Sequence, residues 1–84
     1  MSIEQYRYEI DTIDKKLISL VERRMKLASK IGKLKMAEEL PIEQSDREKY
    51  IRKSMYKHSS LEERDIDELY DIIFNLSKKY QTPD

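Results

Sequence analysis

From Ile3 the chain sets residues at alternating steps of three and four, with no proline before Pro41. The row Ile3, Tyr6, Ile10, Ile13, Leu17, Leu20, Arg24, Leu27, Ile31 and Leu34 is a heptad seam, the pattern of a helix that lies along another long helix. A helix from Ile3 to Glu39 would be about 50 Å long at ~1.5 Å per residue, far longer than a small domain is wide. It cannot bury its seam against the remainder of an 84-residue chain. It must meet a second long helix, most simply its own copy. Arg24 is the one charged member of the row. A charge on a buried seam is costly unless an anion meets it, so Arg24 needs either a protein carboxylate or an anionic ligand.

The whole chain has one glycine and two prolines, so it is punctuated in few places. Pro41 ends the first helix, and Leu40 to Gln44 form a connector. Ser45-Asp46-Arg47-Glu48 has the S-x-x-E form of a capping box, with Ser45 as N-cap. The second helix then runs to about Lys57, with Tyr50, Ile51, Ser54 and Met55 inward. Ser60-Leu61-Glu62-Glu63 repeats the signal and opens a third helix to Gln81, carrying Ile66, Leu69, Tyr70, Ile73, Phe74 and Tyr80 inward. No segment reads as a strand. The expectation is an all-α chain, residues 1–84 as a single domain of three helices, the first very long.

Seventeen basic residues balance seventeen acidic ones, which argues against a nucleic-acid partner, since that calls for a basic excess. With no cysteine and only His58, neither a disulfide framework nor a histidine- or cysteine-based metal site is expected. No apolar run approaches the ~20 residues of a membrane span, and no secretory signal opens the chain. A soluble, cytoplasmic, oligomeric protein is the reading.

Several polar side chains fall on faces that should be apolar. Lys35 lies three helical turns beyond Arg24 with only ~20° of residual rotation, so the two can converge on something small. Gly32, the sole glycine, sits on the same stretch at a cost of ~1 kcal/mol against alanine, which suits close approach of a helix or ligand. Arg7 is roughly 42 Å from Lys35 along the helix, so one small ligand touches both only if a partner chain supplies Arg7. Ser77 and Gln81 continue the inward face of the third helix, and Arg47 falls in the first turn of the second, where backbone N–H groups favour anions. Singly, each has an ordinary explanation: Arg24 in an interface ion pair, Lys35 snorkelling, Glu48 as a capping acid. Their joint pattern points elsewhere.

In order, with little left over, these residues resemble the all-helical, AroQ-class chorismate mutases. Arg7-Tyr8-Glu9-Ile10-Asp11-Thr12-Ile13-Asp14-Lys15-Lys16-Leu17 with Leu20 matches R-x-x-I-D-x-I-D-x-x-L-x-x-L. Glu22-Arg23-Arg24, Ile31-Gly32-Lys33-Leu34-Lys35, Pro41-Ile42, Arg47-Glu48 and Ser77 to Gln81 follow. The resemblance implies an intertwined homodimer of three-helix chains that rearranges chorismate to prephenate. It implies that Arg24 clamps one substrate carboxylate and Arg7 of the partner chain the other. Lys35 and Gln81 would donate to the ether oxygen, Arg47 would support the carboxylate side, and Glu48 and Ser77 would contact the hydroxyl or carboxylate region. Gln44 departs from the pattern, standing where the family often has an aspartate near the ring hydroxyl.

The chemistry suits the residue types. A unimolecular [3,3] rearrangement requires no nucleophile, metal or other cofactor. The protein must hold a flexible dianion in a compact conformer and stabilise negative charge as it grows on the ether oxygen. Guanidinium groups bind carboxylates in bidentate fashion. Two alternatives stand beside this reading: an isochorismate–pyruvate lyase of the same fold, and a non-catalytic helical dimer in which Arg24 and Lys35 merely fix register.

Overall fold

The computed structural model describes residues 1–83 and contains three helices: α1 (Ile3–Ala37), α2 (Ser45–His58) and α3 (Glu63–Gln81). The fold is all-α, as the periodicity implies. Helix α3 packs on both α1 and α2, which do not pack on each other. Only the C-terminal half of α1 takes part. Residues 1–20 are all exposed, and the molecule is 54 Å long with a radius of gyration of 15.8 Å, where a globule of this size would have about 12 Å. No helix is long and apolar enough to cross a membrane, among the described residues.

The face of α1 that meets α3 is not the heptad seam. Met25, Ala28, Gly32 and Lys35 are the buried positions, one step round from Arg24, Leu27, Ile31 and Leu34. The seam itself stays open: Ile13 is 60% and Leu34 62% exposed. Helix α1 therefore has two apolar faces, one covered by its own chain and one not.

Gly32 sets the distance between α1 and α3. A Cβ there would overlap the carbonyl oxygen, Cα and carbonyl carbon of Gln81, and backbone atoms cannot swing aside as a side-chain tip can.

Helix ends differ from the sequence expectation in instructive ways. Helix α1 stops at Ala37, two residues early, in a Schellman turn. Glu39 takes φ 58°, its N–H bonds Met36 O at 3.2 Å, and the Leu40 N–H bonds Lys35 O at 2.7 Å. Ser45 is not an N-cap. It is already helical, Gln44 is the cap residue, and no side chain caps α2. The acid expected to complete that capping box, Glu48, is held by Lys78 instead. Helix α3 likewise starts at Glu63, without a side-chain cap from Ser60. The capping box that does form is Ser2 with Gln5, at the head of α1.

Helix α2 buries no residue fully, and Tyr50, expected inward, is 62% exposed. Leu69 and Tyr80 of α3 are also exposed rather than inward. A polar clamp compensates. Arg52 donates to Asp67 Oδ1 and O, each at 3.1 Å, and to Asp71 Oδ1 at 2.6 Å. Its guanidinium lies 5.1 Å from the centre of the buried Phe74 ring.

Two substitutions test these backbone constraints. Gly32→Ala should destabilise the fold by about 1–3 kcal/mol through overpacking, despite its better helix propensity. Glu39→Gly should stabilise it by about 0.5–1 kcal/mol by relieving the left-handed residue. Chemical denaturation of both variants reads these signs directly.

Candidate active site

One cavity of about 330 Å³ lies between the C-terminal half of α1, the start of α2 and the end of α3. Its apolar walls are Leu27, Ala28, Ile31, Ile42, Ile51 and Phe74. Arg24, Lys35, Gln44, Arg47, Glu48, Ser77 and Gln81 all line it. So does Lys78, which the sequence reading passed over. Lys78 shares a stripe of α3 with Phe74 and Gln81, at steps of four and three, and that spacing was the available signal.

Lys35 is the organising residue. It is only 9% exposed, and its Nζ donates to Gln81 Oε1 at 2.6 Å and to Ile42 O at 2.7 Å. Because an ammonium can only donate, the Gln81 oxygen must face it. The Gln81 Nε2 then points to Ser77 Oγ at 3.1 Å. An ammonium carries three N–H donors and a side-chain amide two. Lys35 and Gln81 therefore each keep one donor without a partner among the described residues. Burial lowers the Lys35 pKa from its ordinary value of 10.5, and the nearby Glu48 charge opposes that shift.

Arg24 is half-buried and makes no ion pair, among the described residues. Among the described residues, no carboxylate of its own chain makes it an ordinary buried pair. Arg47 stacks on Tyr50, its guanidinium carbon 5.3 Å from the ring centre. Lys78 Nζ contacts Glu43 Oε1 at 2.9 Å and Glu48 Oε2 at 3.2 Å. These two acids hold its pKa above the usual lysine range, the Glu43 hydrogen bond foremost, with burial opposing. Four cationic groups thus face a single lining carboxylate, Glu48. Lys78 is committed to its two acids, so Arg24, Lys35 and Arg47 are the lining cations without an ion pair, among the described residues.

Arg7 is not in this cavity. It is on the projecting part of α1, exposed and paired with Glu4 at 2.9 Å. Seventeen residues separate it from Arg24, about 26 Å of helix.

A three-helix chain with a cation-lined cavity at the joint of its helices is the class that fold and site define. The chain belongs to the chorismate mutase type II family, whose model matches residues 6–82. It is 41% identical over 49 residues, 58% of its length, to the bifunctional chorismate mutase/prephenate dehydratase of Aquifex aeolicus. It is 40% identical over 47 residues, 56% of its length, to the T-protein of Haemophilus influenzae. These matches span only 14% and 12% of those proteins. No solved structure matches the chain significantly.

The Lys35 ammonium is accessible to direct titration by the 13C shift of its Cε. Its midpoint should lie below 10.5. In Glu48→Gln it should fall further, because the charge that favours the ammonium is gone.

Proposed function

We propose that the chain is a chorismate mutase, rearranging chorismate to prephenate in phenylalanine and tyrosine biosynthesis, and that it works in the cytoplasm as a homodimer. The supporting observation is the convergence of Arg24, Lys35, Arg47, Glu48, Ser77 and Gln81 on one cavity, where Lys35 and Gln81 each keep one free donor. Those two donors are tied together by the Lys35–Gln81 hydrogen bond, so one acceptor atom can receive both. In the rearrangement that atom is the ether oxygen. As the C–O bond breaks and the C–C bond forms, negative charge grows there, and both hydrogen bonds strengthen in the transition state.

Arg24 takes one substrate carboxylate in bidentate fashion, with Arg47 supporting that side. Glu48, Ser77 and Gln44 meet the hydroxyl or carboxylate region. The second carboxylate falls to Arg7 of a partner chain. The exposed seam of α1 supports this arrangement, since Ile3, Ile10, Ile13 and Leu17 are left in water by a lone chain. A second copy lying antiparallel would cover the seam and carry its Arg7 toward this cavity.

Turnover of chorismate, assayed beside isochorismate, tests the reaction. Loss of chorismate with formation of prephenate is expected, pyruvate release from isochorismate would favour the lyase, and no reaction with either would favour the non-catalytic dimer. Arg7→Ala and Arg24→Ala should each lower activity about 100-fold or more. Unfolded together and re-annealed at equal amounts, they should regain roughly one quarter of wild-type activity. Half of the dimers are then mixed, and each of those has one intact site. No recovery after demonstrated subunit exchange would refute the shared site.

Gln81→Glu should make activity acid-dependent. At neutral pH the new carboxylate pairs with Lys35 and cannot donate; protonation restores a donor. The kcat should fall about 100-fold at neutrality and recover as pH drops, whereas the parent profile stays flat. An unchanged profile would remove Gln81 from the reaction.

A further inference from the structure

Lys78 bridges three parts of the chain from a place the reaction does not require it to occupy. It projects from α3 next to Ser77 and lines the cavity. Its Nζ joins Glu43 of the connector and Glu48 of α2, at 2.9 and 3.2 Å. Both Lys78 and Glu48 are largely shielded, at 31% and 23% side-chain exposure, so screening by water is incomplete.

The alternative partner for Glu48 is Lys35. Lys35 has one N–H without a partner among the described residues, it is buried, and the Glu48 charge already acts on it. Yet no ion pair joins them, and the cation in contact with Glu48 is Lys78. A carboxylate beside a desolvated ammonium with one open N–H turns to it unless another cation holds it back. Glu48 on Lys35 would consume the donor that a ligand needs.

We propose that Lys78 is a positioning residue: by holding Glu48 on the α3 side of the cavity, it keeps the third N–H of Lys35 open to the ligand. The identity of that ligand rests on the mutase reading; the competition between Lys78 and Lys35 for Glu48 does not. Lys78 acts through Glu48, so its effect must vanish when Glu48 loses its charge. A lysine that bound substrate directly, or merely stabilised the fold, would act whether Glu48 were charged or not.

The test is a double-mutant cycle with two readouts. Lys78→Met, Glu48→Gln and the double variant are compared with the parent for kcat and KM on chorismate, and for the Lys35 13Cε titration. Lys78→Gln serves as a second neutral variant should the methionine form fail to fold, and Lys78→Arg as the conservative one. Lys78→Met should lower kcat about 10- to 100-fold with KM changed less than about threefold. Lys78→Arg should stay within about threefold of the parent. Added to Glu48→Gln, Lys78→Met should lower kcat no further. The Lys35 midpoint should rise in Lys78→Met as Glu48 swings to it, and by clearly less when the same change is made in Glu48→Gln.

The charged groups that share the cavity with Lys35 are Arg24 on α1, Arg47 and Glu48 on α2 and Lys78 on α3, and Glu43 of the connector sits on Lys78. Loss of the Lys78 charge alone would also raise the midpoint, but that rise would persist in the Glu48→Gln background. Equal effects of Lys78→Met with and without the Glu48 charge, or an unmoved Lys35 midpoint, would overturn the proposal. If the parent leaves chorismate untouched, the mutase reading fails, and the Lys35 titration still decides the role of Lys78.

Discussion

A lysine ammonium that is almost completely withdrawn from water must find acceptors, and the geometry of this chain follows from where Lys35 finds them. It takes one from Gln81 at the end of α3 and one from the Ile42 carbonyl in the connector. Three separate parts of the chain are thereby pinned to one nitrogen. The close approach that makes this reachable is at Gly32, three residues earlier, where α1 runs directly against the Gln81 backbone. The Schellman turn after Lys35 reverses the chain so that Ile42 comes back over it. Packing, turn and hydrogen bonding all serve the same nitrogen. Breaking any one would leave a buried cation underserved, which costs more than an ordinary lost hydrogen bond.

Around that nitrogen the electrostatics are deliberately unbalanced. A protein of zero net charge gathers Arg24, Lys35, Arg47 and Lys78 on one cavity with only Glu48 among its lining acids. Like charges collected in a partly desolvated space raise the energy of the empty site, and an anionic ligand relieves it. Burial presses Lys35 toward neutrality, while Glu43 and Glu48 keep Lys78 firmly charged. The two lysines therefore sit in opposite environments a short way apart, one with a donor to spare and the other committed to carboxylates.

The three helices were legible because periodicity is a local property, and long periodic segments register strongly. The Ser45 capping box does not form because it depends on what else competes for its acid, and Lys78 takes Glu48 from across the structure; at the third helix the cap residue is Glu62, not Ser60. Tyr50, Leu69 and Tyr80 fit an inward pattern, yet α2 is held by Arg52 on Asp67 and Asp71 rather than by apolar burial. On α1 the seam and the buried stripe lie side by side, and a single period cannot say which the chain covers itself. The convergence of Arg24, Lys35, Ser77 and Gln81 could be anticipated from spacing. Spacing puts Lys78 on the stripe of Phe74 and Gln81, but its ion pairs do not show there, because Glu43 and Glu48 are distant in sequence.

The two faces of α1 explain why one helix can serve both assembly and site. Met25, Ala28, Gly32 and Lys35 face α3, whereas Leu27, Ile31 and Leu34 remain open beside them. Arg24, Leu27 and Ile31 also form one wall of the cavity, so the open face and the site share an edge. A chain that covers the seam would necessarily also enclose that wall. Under the proposed dimer, ligand binding and subunit association are then linked: a ligand held partly by Arg24 and partly by the partner's Arg7 favours the dimer by the same free energy with which the dimer favours the ligand. Under that dimer, the exposed half of α1 is the element through which each chain would complete the other's site.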